Sequence, residues 1–357
     1  MQYATRTVAA LVTGALAIAC PAIASGVGAA AAGSLPPPRT IAQLRAEPPR
    51  ARLRRVRDLE GGPGFSSYLV AYRSSGLDVH ALVAVPSLPR PAGGYPVLVA
   101  NHGFHPDPPR YGITAAGVDS RPGDYYRLVP ALYARRGYLV VMPDYRGHSV
   151  SQGTAFARGA LAPAWYAEDV VALLSALRDL PEADPGRVFL WGHSMGGEIT
   201  LRALLVADRI PGIVIRAASL WSTTGGDIWE QVDHRARSPA PAPDAGSDVP
   251  RPPIDALRAQ IAALAGPYDW AANEPLRQLE GLRTPVILHH AHGDASTRYE
   301  WSERLARELY RLGREHRFHS YAGGEHFFAG DAQWLAADRD DAYFREHMTG
   351  TGAGVVK

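Results

Sequence analysis

The chain reads VFLWGHSMGG at residues 188–197, and an apolar helical pattern continues from Ile199 to Val206. The first four residues have the unbroken apolar character of a buried strand, so the local order is strand, G-x-S-x-G and helix. On so tight a turn Ser194 projects its hydroxyl from the edge of a sheet, and a side chain at either flanking glycine would collide with neighbouring backbone. The stretch therefore predicts a nucleophilic serine between a buried strand and a helix.

Apolar strand patterns and amphipathic helical patterns alternate on both sides of this stretch. A hairpin at a sheet edge is predicted first, with strands at 65–73 and 77–86. The later strands are predicted at 96–100, 138–142, 188–191, 213–220, 285–290 and 317–321. Apolar strands that alternate with helices predict an α/β fold, in which a mostly parallel central sheet carries helices on both faces.

Composition divides the chain into segments. Residues 25–60 are rich in Pro and Arg and are predicted to be a linker or a wrapping segment, whereas 61–348 form the folded domain and 349–357 a flexible tail. Residues 224–273 interrupt the strand–helix alternation with helical fragments and a Pro-, Ala- and Asp-rich stretch. They are predicted to form a lid over the carboxyl edge of the sheet, with a surface insertion as the alternative.

Residues 1–24 fit a secretory signal, because one basic residue, Arg6, precedes an apolar run that ends at an A-x-A site. Export to the periplasm or the exterior is therefore expected. A lipoprotein anchored at Cys20 and an uncleaved anchor are the alternatives, although the run is Ala- and Gly-rich and is broken by Pro21. Cys20 is the only cysteine, which excludes a disulfide framework and a cysteine-ligated metal.

The charges are nearly balanced, with 37 basic against 35 acidic residues and a formal net charge of +2. This balance gives no reason to expect a nucleic acid as partner, and a membrane is expected only if Cys20 is lipidated. A small-molecule ester or a short peptide is the expected partner. The oligomeric state stays open.

A serine hydroxyl becomes a good nucleophile only when a histidine takes its proton and a carboxylate orients that histidine. With this type of serine turn the chain order is Ser, acid, His. Asp294 is the only carboxylate between the strand at 285–290 and Glu300, and His326 follows the last strand in the small-residue turn YAGGEH. The predicted catalytic residues are therefore Ser194, Asp294 and His326, and no cofactor is needed.

The oxyanion that forms during acyl transfer needs hydrogen-bond donors. The backbone N–H groups of Met195 and of Phe104, in the loop after the strand at 96–100, are predicted to supply them. Asp144 and Arg146 are predicted to form an ion pair in the floor of the site. The aromatic residues predicted to line the substrate pocket are Tyr145, Trp221, Trp229 and Trp270. A metal bound by His102, His105 and the histidines at 289, 290 and 292 is not expected, because no carboxylate cluster accompanies them.

Several sequence motifs resemble those of one protein family. They are NHGF at 101–104, PDYRGH at 143–148, WGHSMGG at 191–197, HH at 289–290 before Asp294, YEWS at 299–302 and GEH at 324–326. From about 65 to 328 the sequence resembles an α/β hydrolase of the prolyl oligopeptidase type, close to single-domain dienelactone-hydrolase-like and acyl-aminoacyl-peptidase-like members. The family usually has Val-Pro shortly after the acid, whereas Ser-Thr-Arg follows here. The region before 65 is also too short for the β-propeller of the large peptidases.

The main prediction is a secreted serine hydrolase that cleaves a carboxylic ester through an acyl-enzyme. The alternative is a serine peptidase of the prolyl oligopeptidase family that acts on short peptides or acylated amino acids. A non-catalytic, hydrolase-like binding protein is the alternative of another class. That last alternative is disfavoured because such a protein would be expected to lack a catalytic residue, and all three are present.

Overall fold

Nine strands form one sheet in the computed structural model, which describes residues 35–105, 107–110, 112, 125–157, 159–237, 253–264, 268–328 and 330–349. In chain order they are β1 (Arg54–Gly62), β2 (Phe65–Ser74), β3 (Leu77–Pro86), β4 (Tyr95–Asn101), β5 (Leu139–Asp144), β6 (Ala183–His193), β7 (Ile215–Trp221), β8 (Val286–Ala291) and β9 (His316–Tyr321). Their order across the sheet is β1-β2-β3-β5-β4-β6-β7-β8-β9.

The sheet is parallel over most of its width. The pairs β1–β2, β2–β3 and β3–β5 are antiparallel, and every pair from β5 through β4, β6, β7 and β8 to β9 is parallel. The chain leaves β4 toward β5 on one side and then crosses back to β6 on the other. This reversal opens a crevice at the carboxyl ends of β4 and β6, where open α/β sheets bind their ligands.

Helices cover both faces of the sheet, as predicted. They are α1 (Ile41–Ala46), α2 (Val129–Ala134), α3 (Ala162–Ala176), α4 (Met195–Ala207), α5 (Ile228–Arg237), α6 (Ile254–Leu264), α7 (Tyr299–Arg311) and α8 (Asp331–Glu346). One hydrophobic core joins the sheet to α1, α3, α4 and α7, and a second joins its other face to α2 and α8. The predicted fold class is therefore confirmed. None of the helices in the described ranges is both long and apolar enough to cross a membrane.

Ordered structure begins before residue 61, where the sequence places the start of the domain. Thr40 and Gln43 form a reciprocal capping box at the start of α1, and Ile41 and Leu44 of that helix are buried in the core. β1 pairs with β2 and takes the sheet edge that the sequence assigns to the β2–β3 hairpin. Only Leu59 of β1 is buried, so an exposed edge strand leaves no alternating apolar pattern to detect.

Four predicted segments lie wholly or partly outside the described residues. The signal sequence at 1–24 does so completely, and the predicted linker does so at 25–34. The tail does so from residue 350 onward. Of the predicted lid, 238–252 and 265–267 lie outside, and the described part contains α5 and α6, which pack together through Val232, Leu257 and Ile261.

Candidate active site

Ser194 occupies a sharp turn between β6 and α4. Its backbone has φ 57° and ψ −123°, a left-handed conformation that costs a non-glycine residue about 1–3 kcal/mol. A Cβ at Gly192 would lie 2.6 Å from the Gly196 carbonyl carbon, and a Cβ at Gly196 would lie 2.6 Å from the Asn101 carbonyl carbon. The two glycines therefore let the turn close against β4, as the motif predicts.

The loop after β4 lies directly against the serine. A Cβ at Gly103 would overlap the Tyr126 hydroxyl oxygen and would lie 3.1 Å from the Ser194 Cβ. Met195 begins α4, and the first N–H groups of a helix have no partner within the helix. Phe104 follows Gly103 directly, so both predicted oxyanion donors belong to backbone that adjoins Ser194. Their role in binding the oxyanion stays a prediction.

Asp294 and His326 form a hydrogen-bonded pair, with 2.8 Å between Asp294 Oδ2 and His326 Nδ1. The carboxylate is fully buried, whereas about a quarter of the His326 side chain is exposed. The Ser296 and Thr297 N–H groups donate to Asp294 Oδ1 at 2.8 and 2.9 Å, and the Thr297 hydroxyl approaches Oδ2 at 2.7 Å. These donors orient the carboxylate toward the histidine.

His290 is a second histidine on the same carboxylate. Its Nε2 lies 3.2 Å from Asp294 Oδ2, and its Nδ1 lies 2.7 Å from the Ser302 hydroxyl. Burial by itself raises the pKa of Asp294, but the hydrogen bonds from His290 and His326 outweigh burial and hold that pKa well below its usual range. Asp294 is therefore an anion at neutral pH and can stabilise a positively charged His326.

The loop that carries His326 is joined to the residue before the serine. His193 Nε2 lies 2.8 Å from the His326 carbonyl oxygen, and the centroids of the two imidazole rings are 4.4 Å apart. His193 belongs to the same turn as Ser194, whose N–H donates to the Trp221 carbonyl oxygen on β7 at 2.9 Å. The structure therefore brings the elements that carry the three predicted catalytic residues to one edge of the sheet.

Two of the predicted pocket residues are buried in the protein interior instead. Trp221 is fully buried on β7, and its indole N–H donates to Asp340 of α8 at 2.9 Å. Tyr145 is also fully buried, with its hydroxyl donating to the His102 carbonyl oxygen at 3.1 Å and its ring stacked on Tyr166. Neither side chain is open to a substrate, because each faces a packed core that sequence proximity to the motifs does not reveal.

The other two aromatic residues lie in or beside the described part of the predicted lid. Trp229 is half-exposed on α5. Trp270 lines a small cavity whose polar walls are Glu198, Arg202 and Glu274. Burial, followed by the nearby Glu198 carboxylate, raises the pKa of Glu274 to about 7. The cavity therefore lies between α4 and the segment that follows α6, and buried polar side chains line it.

The predicted ion pair between Asp144 and Arg146 is wrong. Arg146 pairs instead with Asp169 at 2.7 Å and with Glu168 at 3.4 Å, both on α3, and all three side chains are almost completely buried. The Asp169 carboxylate also accepts the backbone N–H of Arg146 at 2.9 Å. The partners are 22 and 23 residues away along the chain, so no local pattern reveals them.

The histidines of β8 have separate partners rather than a shared ion. His289 Nε2 lies 2.9 Å from Asp340 Oδ1, and its Nδ1 lies 2.8 Å from the Tyr321 hydroxyl. In the part of the chain that the structure describes, no group of three potential ligands could hold a metal. The contact of His290 with Asp294 was not predicted from the sequence, although the two residues are only four positions apart at the end of a strand.

Comparison with known proteins gives the same fold. A family model described as "alpha/beta hydrolase fold" matches residues 96–238. The uncharacterized peptidase YtmA of Bacillus subtilis is 25% identical over 262 residues, which are 73% of this chain and 86% of YtmA. A Mycobacterium tuberculosis puromycin-hydrolyzing peptidase superposes with a TM-score of 0.58 at 21% identity, over 84% of this chain and 40% of that one.

The Pyrococcus horikoshii acylaminoacyl peptidase also superposes with a TM-score of 0.58, at 18% identity, over 82% of this chain and 43% of that one. This chain therefore spans less than half the length of either solved peptidase. Together the sheet topology and the comparisons show an α/β-hydrolase fold. Its resemblance to α/β hydrolases of the prolyl oligopeptidase type, predicted from the sequence motifs, is confirmed. An acetyl xylan esterase from Paenibacillus also superposes with a TM-score of 0.58, at 15% identity, over 85% of this chain and 90% of that one.

Proposed function

We propose that this hydrolase is a serine peptidase that acts on short peptides or acylated amino acids through an acyl-enzyme on Ser194. The observation that carries the proposal is the 2.8 Å contact between the buried Asp294 carboxylate and His326 Nδ1, on a loop bonded to the residue before Ser194. A carboxylate on Nδ1 leaves Nε2 as the basic nitrogen, which is the arrangement that serine activation requires.

The reaction follows from these positions. Ser194 Oγ attacks the carbonyl carbon while His326 Nε2 takes the hydroxyl proton, and Asp294 stabilises the resulting imidazolium. The N–H groups of Phe104 and Met195 donate to the oxyanion. His326 then gives its proton to the departing amine, and water hydrolyses the acyl-enzyme with His326 again acting as base. The chemistry needs no cofactor.

YtmA, the Mycobacterium tuberculosis protein and the Pyrococcus horikoshii protein are peptidases, which supports an amide substrate over the carboxylic ester predicted from the sequence. An amide leaving group must be protonated before it departs, so peptide cleavage depends more than ester cleavage on a well-held general acid. The five contacts around Asp294, which orient His326, suit that requirement.

A substrate panel tests the proposal. Each kcat/KM is divided by the rate constant for uncatalysed hydrolysis of the same substrate. We expect the resulting ratio to be higher for aminoacyl and N-acetyl-aminoacyl p-nitroanilides than for p-nitrophenyl acetate and butyrate. A clear preference for the esters would overturn the peptidase assignment. Labelling by a fluorophosphonate should disappear in Ser194→Ala, and persistent labelling in that variant would overturn the choice of nucleophile.

A further inference from the structure

Tyr126 lies in a helical turn at Tyr125–Leu128, directly before α2, and is almost completely buried beside the candidate active site. Its hydroxyl oxygen lies 2.7 Å from the Gly103 nitrogen and 2.6 Å from His193 Nδ1. His193 Nε2 in turn lies 2.8 Å from the His326 carbonyl oxygen. One continuous chain of hydrogen bonds therefore connects the loop after β4, the serine turn and the loop that carries His326.

The direction of every hydrogen bond in this chain is fixed. The His326 carbonyl oxygen can only accept, so His193 Nε2 carries the hydrogen. Burial, followed by the charge of nearby His326, lowers the pKa of His193 well below its usual range, so the ring is neutral and Nδ1 is an acceptor. Tyr126 must then donate its O–H to Nδ1, which leaves a lone pair of the hydroxyl oxygen for the Gly103 N–H.

We propose that Tyr126 and His193 are positioning residues that hold the oxyanion loop and the His326 loop in register with Ser194. The proposal rests on the proposed function and assigns a role to two residues outside the predicted catalytic triad. Gly103 directly precedes Phe104, so a fixed Gly103 nitrogen limits where the Phe104 N–H can point. A fixed His326 carbonyl limits where the imidazole can stand over the serine.

The packing around the chain supports a positioning role. The Phe327 ring stands edge-on to both Tyr126 and His193, at centroid distances of 5.3 and 4.6 Å. Gly103 has no room for a side chain, because its Cβ would overlap the Tyr126 hydroxyl oxygen. Buried hydrogen bonds that water cannot replace hold geometry more tightly than exposed ones. A displacement of about 1 Å in such a site can cost about 10²-fold in rate.

Tyr126→Phe tests the proposal, with Tyr133→Phe as the matched control. Tyr133 is also buried and also donates a 2.6 Å hydrogen bond, but to Asp340 of α8. Active-site titration with a fluorophosphonate gives kcat per folded site. We expect Tyr126→Phe to lower kcat about 10- to 100-fold with KM changed less than about threefold, and Tyr133→Phe to keep kcat within about twofold. A kcat for Tyr126→Phe within about twofold of the parent would overturn the proposal.

A second pair of variants covers the case in which Tyr126→Phe does not fold. His193→Gln keeps one acceptor and one donor at a spacing close to that of the imidazole nitrogens, whereas His193→Phe keeps only the ring size. We expect His193→Gln to retain at least about tenfold more kcat than His193→Phe. Equal kcat values in the two variants would contradict the proposal, because the hydrogen-bonding groups at position 193 would then make no difference to kcat.

The tautomer of His193 gives a readout that does not depend on activity. Nitrogen-15 shifts of selectively labelled protein should show a hydrogen on Nε2 and a bare Nδ1, and they should do so in Ser194→Ala as well. A hydrogen on Nδ1 would overturn the proposal. If Ser194→Ala stays active, the proposed function fails while the tautomer measurement still stands, so the two failures are distinguishable.

Discussion

Replacement of Asp294 by Asn should disable the histidine without unfolding the site. The backbone N–H groups of Ser296 and Thr297 both donate to Oδ1, so the amide oxygen of the asparagine must stay at that position. The NH₂ group is then forced into the Oδ2 position, 2.8 Å from His326 Nδ1. A donor at that place requires Nδ1 to accept, which puts the imidazole hydrogen on Nε2.

The expected loss is large because Nε2 is the nitrogen that must accept the serine proton. In Ser-His-Asp proteases the same change of tautomer lowers kcat by about 10⁴-fold. At about 1.4 kcal/mol for each factor of ten, this corresponds to about 5.5 kcal/mol of transition-state stabilisation. Binding of the substrate does not use Nε2, so KM should change much less than kcat.

The assay compares Asp294→Asn with Asp340→Asn under identical conditions. Asp340 is an equally buried carboxylate on a histidine, with its Oδ1 2.9 Å from His289 Nε2, but it lies outside the site. We expect Asp340→Asn to lower the midpoint of urea unfolding and to leave kcat within about threefold of the parent. The reasoning is refuted if Asp294→Asn keeps more than about a tenth of the parent kcat, or if both variants lose kcat equally.

Three further predictions concern stability and packing. Arg146→Met leaves the buried Asp169 carboxylate without its cation and should lower the free energy of unfolding by about 3–5 kcal/mol, measured by urea titration; a loss below about 1 kcal/mol would contradict it. Glu274 has a pKa of about 7 in the folded protein against 4.5 unfolded, so the folded state binds its proton more tightly and stability should fall as pH rises from about 4.5 to about 7. Glu274→Gln should flatten that pH profile and raise stability at pH 8 by about 1–3 kcal/mol, and an unchanged slope would count against the assignment. Gly103→Ala should lower kcat about 10²-fold, because its Cβ lies 3.1 Å from that of Ser194, and unchanged steady-state kinetics would show that the loop adapts.

The parallel sheet and the serine turn could be predicted because their signals are local. A buried strand must be apolar along its whole length, and the turn at Ser194 needs glycine on both sides wherever it occurs. Both requirements are met by neighbours in the chain. Asp294 and His326 could be proposed by elimination, because Asp294 is the only carboxylate between β8 and Glu300 and His326 is the first histidine after β9.

The N-terminal elements were missed because their burial depends on distant partners. α1 exposes its polar side and buries only Ile41 and Leu44, and β1 is rich in arginine because it forms the edge of the sheet. A six-residue helix and an exposed strand show too little periodicity of apolar residues to be distinguished from a linker. Their place in the fold follows from contacts with α4 and β2, which the local sequence does not contain.

The sequence by itself determined the positions of most strands along the chain, the strained serine turn and the residue types that could serve as base and acid, because backbone sterics and burial act on near neighbours. Only the tertiary structure decided which polar groups meet. It paired Arg146 with Asp169, turned Trp221 into the core, and joined Gly103, Tyr126, His193 and His326 in one hydrogen-bond chain. Hydrogen bonds and ion pairs act over about 3 Å in space, and the chain separations they span here reach 133 residues.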